Sequence, residues 1–114
     1  LDVVGSPPRF RVRLAGTAVV QGYGREITGQ YVDELDFASF DDAVLADLAA
    51  VVQHGRPNVA SREYTRQDGR HVRYELLMLP LSSDGLTVDK LFGGVVVEYA
   101  LGPARRRVSP AIFP

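Results

Sequence analysis

Cysteine is missing from this chain of 114 residues. Its absence excludes disulfides, thiolate metal sites and cysteine nucleophiles. It fits a reducing compartment, and a cytoplasmic location is the expectation. Long apolar runs are missing too. None approaches the roughly 18 residues that a membrane helix requires, and the longest, Leu76–Leu81, is interrupted by Pro80. No signal-peptide pattern is visible. Nor does one sign of charge prevail: 13 basic residues face 14 acidic ones, for a net charge of −1. That balance supplies no bulk field to draw the chain to nucleic acid or a membrane surface. The triplet Arg105-Arg106-Arg107 is too short to change this by itself. Lysine is nearly absent, Lys90 being the single one.

What is present suits one domain. The chain is 46% hydrophobic and 24% charged, ordinary for a globular protein able to bury one core. It opens at Leu1 directly into a strand-like run, Leu1–Val4, so an upstream segment is expected. Gly5-Ser6-Pro7-Pro8 breaks that run. Arg9–Leu14 then alternates, with Phe10, Val12 and Leu14 on one side and three arginines on the other. The two runs predict a hairpin. Thr17–Tyr23 allows a short helix ending at Gly24, or a strand, and the stretch Val32–Asp36 suggests one or two helical turns. The Gly22-Tyr23-Gly24 step lacks the Lys-Ser/Thr of a phosphate loop.

The clearest helix follows. Ser39 is a candidate N-cap, with Asp42 three residues later. Val44, Leu45, Leu48, Val51 and Val52 repeat along one stripe, and Gly55 and Pro57 stop the helix. Three strand-like runs complete the pattern: Val59–Arg66, His71–Leu81 and Leu91–Leu101. The turn Gln67-Asp68-Gly69-Arg70 joins the first two as a tight hairpin. Short connections make the sheet antiparallel, and helices clustered between two groups of strands make the fold α+β. Residues 1–101 read as the domain and 102–114 as a C-terminal tail.

The last two strands are apolar on both faces. Val72, Tyr74, Leu76 and Met78 fall on one face, and Leu77, Leu79 and Leu81 on the other. In the final run, Val95 and Val97 oppose Phe92 and Val96. A sheet with one wet face would alternate polar and apolar. Helices account for one cover. The other is expected from an upstream segment, from the tail Val108–Pro114, or from a second copy of the chain. Leu77, Leu79, Leu81, Phe92 and Val96 are therefore candidates for a dimer or docking face.

The order of two strands, a helical cluster, a longer helix and three strands resembles the PAS domain. So do particular stretches: Leu14-Ala15-Gly16-Thr17, Tyr23-Gly24, Ile27-Thr28-Gly29, the Asp68-Gly69 hairpin, and the closing run Leu91–Tyr99. The wording RFRVRLAGT at 9–17 and PLSSDG at 80–85 resembles a group of small bacterial PAS-like proteins. The resemblance covers about Leu1 to Leu101. It implies a five-stranded antiparallel sheet with helices packed on one face around a small cavity. It also implies signal sensing, ligand binding or dimerisation. PAS domains commonly carry Asn where this chain has Thr17, and both can cap a short helix. No cysteine is available for flavin photochemistry or a thioester-linked chromophore.

On that resemblance, the cavity wall is expected at Leu48, Val52, Tyr64, Tyr74, Leu76, Met78, Val95 and Val97, with a solid core as the alternative. Met78 would suit an adaptable pocket, and tyrosine hydroxyls would orient a small non-covalent ligand. His54 lies on the element that carries the haem ligand in some oxygen-sensing relatives. Its place in the last helical turn fits free carbonyls better, so neither haem nor any other cofactor is expected. His71 opens a strand and is expected in solvent. Asp33, Glu34, Asp36, Asp41, Asp42 and Asp47 match no calcium loop and read as a solvated acidic face, so no metal is expected. No nucleic-acid or membrane partner is expected. The function expected is a non-catalytic sensory or signalling domain that binds a small ligand or dimerises. The alternatives are an interaction module with a filled core and, remotely, a small α+β enzyme using Glu63, Glu75 or Glu98, which otherwise face solvent or pair with arginines.

Overall fold

The computed structural model describes residues 1–35, 42–65, 69, 71–100 and 106–114, and at 22, 42, 64–65, 99–100 and 106–111 the description is confined to the backbone. Strand β1 (Asp2–Val4) and strand β2 (Arg9–Arg11) form the expected N-terminal hairpin. β2 stops three residues short of the alternating pattern. Phe10 and Val12 are buried, but Leu14 is exposed, because the Val12 amide donates to Gln30 instead of continuing the strand pairing.

Helix α1 (Thr17–Tyr23) settles the helix-or-strand ambiguity in favour of helix. Its N-cap is Gly16, with no side-chain cap, so Thr17 is the first helical residue and not a capping one. A single 3-10 turn, Val32–Glu34, occupies the acidic stretch. Helix α2 (Asp42–His54) carries the stripe read from the sequence: Val44, Leu48 and Val51 are buried, and Leu45 and Val52 pack half-buried against them. Val44 and Leu48 are wholly removed from water. Each contributes about 2 kcal/mol relative to an exposed position. Gly55, at φ +60°, ends the helix and donates its N–H to the Val51 carbonyl. The proposed cap Ser39 lies outside the described residues, as does most of the Gln67–Arg70 turn.

Strands β3 (Asn58–Thr65), β4 (His71–Leu81) and β5 (Lys90–Ala100) follow in antiparallel succession. The sheet order is β2-β1-β5-β4-β3. A further strand, β6 (Arg106–Phe113), pairs with β5 alongside β1. The sequence reading ended the strand pattern near Leu101 and had 102–114 as a tail; eight of those residues form this strand. β1 meets β5 only at Asp2↔Lys90, and β6 takes the same edge from Gly93 to Ala100.

Backbone parity explains two prolines inside strands. Leu91 exchanges both hydrogen bonds with Leu1, so odd-numbered residues of β5 turn their amide edges toward β1 and β6. Pro80 lies opposite Leu91, and its nitrogen therefore points away from β5, past the end of β3. Ile112 lies opposite Gly94, and its carbonyl points away from β5 to accept the Gly16 N–H at 3.1 Å. Pro110 shares the parity of Ile112, so its missing N–H removes no bond to β5.

Candidate functional site

The two faces of the sheet separate the two groups of candidate residues. On the inner face, Val72, Tyr74, Leu76 and Met78 of β4 are buried. Tyr74 lies opposite Val97 and Leu76 opposite Val95, and α2 packs above β4. Leu48, Tyr74, Leu76 and Met78 belong to one buried cluster, against which Val52, Val95 and Val97 pack half-buried. Seven of the eight pocket candidates are thus brought together. For Tyr64, only the backbone pairing with Val72 is described.

Arg62 was not anticipated in this layer. It lies opposite Tyr74 on β3, and its guanidinium bonds Asp47 of α2 in a half-buried ion pair that ties helix to sheet. The signal was available: the hairpin register that places Tyr64 opposite Val72 also turns Arg62 inward. A cleft of about 240 Å³ lies at the C-terminal end of α2, lined by Ala50, Val51, His54, Arg56, Pro57 and Asn58. It is open to solvent and contains none of the predicted pocket residues; His54 is exposed on its rim.

In the acidic stretch, Asp33 and Glu34 are exposed, as expected, and both are engaged by an arginine. Arg9 donates from Nε and Nη2 to both oxygens of Asp33, at 2.9 Å each, and from Nη2 to Glu34 at 2.8 Å. It also stacks 3.9 Å above the Tyr31 ring. This hydrogen bonding from Arg9 holds the Asp33 carboxyl below its usual range. Asp47 is engaged by Arg62, and Asp36 and Asp41 lie outside the described residues. Among the described residues, no three His, Asp or Glu side chains form a metal-binding group.

The outer face is apolar and uncovered among the described residues. Leu77, Leu81 and Val96 are exposed, and Leu79 and Phe92 are half-buried. Two residues not anticipated complete the patch. Val59, 67% exposed, and Ile112, 54% exposed, lie in one row across four strands: Val59↔Leu77↔Gly94↔Ile112. The tail therefore does not cover this face. It extends the sheet edge-on and adds Ile112 to the exposed surface. Beside the patch, Glu63 faces Arg73 across β3 and β4, with a 4.0 Å contact, and Glu98 lies opposite Arg73 on β5. Glu75 is exposed on the same face, and His71 is exposed at the start of β4.

The family model of the PAS domain matches residues 4–96. The chain belongs to the PAS domain family. As a PAS domain it has the α+β architecture implied by the resemblance, with an antiparallel sheet backed by helices, and it falls among sensory or interaction modules that are generally non-catalytic. The matched span runs from the last residue of β1 to the middle of β5, including both candidate faces of β4, and stops before β6. Searches of curated proteins and of solved structures found no match. Among the described residues no helix is long and apolar enough to cross a membrane.

Proposed function

We propose that this PAS domain is a non-catalytic interaction module that forms a homodimer through its outer sheet face. One observation carries the reading: the apolar row Val59, Leu77, Gly94 and Ile112 faces water across four strands, flanked by Val96, Leu81 and Phe92. Contiguous apolar surface of this kind marks interaction sites. A two-fold pairing uses the same patch on both copies, so residues near the axis approach their own counterparts. Because the chain has no cysteine, a single introduced thiol reports on one contact. Oxidation of Val96→Cys should give covalent dimers, while the control Leu86→Cys, on the exposed loop before β5, should give few. Equal cross-linking at both positions would reject the face.

A second reading is favoured by the inner layer. Leu48, Val52, Tyr74, Leu76, Met78, Val95 and Val97 form one apolar wall between α2 and the sheet, with a tyrosine as its polar handle. The occupant would be a small, non-covalent molecule, and a mass adduct lost on denaturation would reveal it. Neither reading calls for a cofactor, a metal, nucleic acid or a membrane, and the setting we propose is a bacterial cytoplasm.

A further inference from the structure

β6 joins two parts of the molecule that otherwise meet little. Along one edge it pairs with β5 from Gly93↔Phe113 to Ala100↔Arg106. On its other side, it is the described element against which α1 packs most closely. The Gly16 N–H, immediately before α1, donates to the Ile112 carbonyl.

Two bare glycines permit this approach. A Cβ at Gly93 would clash with the Phe113 ring, and one at Gly16 would stand 2.7 Å from the Ile112 carbonyl oxygen. Phe113 is consequently buried in the core cluster, on the same face as Leu91. The strand closes the sheet, since Pro110 offers no outward N–H to a further neighbour. Among the described contacts, β6 is held by one neighbouring strand, one hydrogen bond from a helix start and one buried ring. Segments so supported open at lower free energy than strands paired on both sides, such as β4.

We propose that β6 is a releasable latch on the inner layer. Its detachment withdraws Phe113 from the seat at Gly93 and removes the main support of α1, so strand and helix open as one unit and expose the inner face beside β5. The latch acts within one copy of the chain; because Ile112 belongs to β6, opening also withdraws one residue from the outer row.

Amide hydrogen exchange on the full chain tests it. Segments 106–113 and 17–23 should exchange together, at least tenfold faster than 72–78. Phe113→Ala and Gly93→Ala should each accelerate both segments by a further tenfold or more and leave 72–78 unchanged. Equal protection of all three segments in the wild-type protein would overturn the latch, because β6 would then leave only by global unfolding. Faster exchange of 106–113 with 17–23 unaffected would overturn the coupling. Should Gly93→Ala fail to fold, Phe113→Leu, which keeps an apolar side chain but not the ring, must move both segments in the same direction.

Discussion

At the scale of single residues, Asp84 shows how one carboxylate shapes a loop. Its Oδ1 accepts the N–H groups of Leu86 and Thr87, each at 2.8 Å, and the Ser82 hydroxyl at 2.9 Å. The backbone bond from Thr87, then that from Leu86 and the Ser82 hydroxyl, hold its carboxyl down to about 2 from an ordinary 3.8. Since the folded-state value is the lower one, this contribution to stability is complete above pH 3.8. It is lost as pH falls through the folded value near 2. In an acid titration followed by NMR, the Leu86 and Thr87 amides should therefore shift with a midpoint near 2, and Asp84→Ala should abolish that transition. A midpoint at the ordinary aspartate value would show that the carboxylate does not hold the loop. The same turn leaves Leu86 92% exposed, a lone apolar side chain that needs no partner.

At the scale of elements, legibility followed the strength of the period. β4 announced itself by a run apolar on both faces between turn signals, and α2 by a stripe with a glycine stop, and both have close to the predicted bounds. β6 was illegible for a physical reason. Two arginines and a mid-strand proline argue against a strand, and only the parity of the β5 ladder makes Pro110 acceptable. That parity depends on Leu91 pairing with Leu1, a contact between opposite parts of the chain. The same long-range dependence hid Gly16, whose bareness serves a strand almost a hundred residues away. Gly16→Ala should destabilise the domain by about 1–3 kcal/mol, as an overpacked close contact does, with the loss read in urea denaturation. A neutral or stabilising effect would mean that β6 does not rest on the start of α1.

At the scale of the whole molecule, the sheet divides two kinds of function. The inner-face candidates could be grouped from sequence because period two and helical stripes point to a common interior. Whether that interior admits a ligand depends on volume, which residue patterns do not carry. The outer patch was legible in β4 and β5 but incomplete. Val59 and Ile112 join it only through strand registers fixed by the fold. The central claim is that this PAS domain pairs through that patch. Sedimentation equilibrium of the wild-type chain beside Val96→Asp tests it most directly, because a charge buried in the interface carries a large desolvation penalty. A reversible wild-type dimer, with a folded and monomeric variant, is the predicted result. A wild-type monomer at every concentration, or a dimer that Val96→Asp leaves intact, would contradict it.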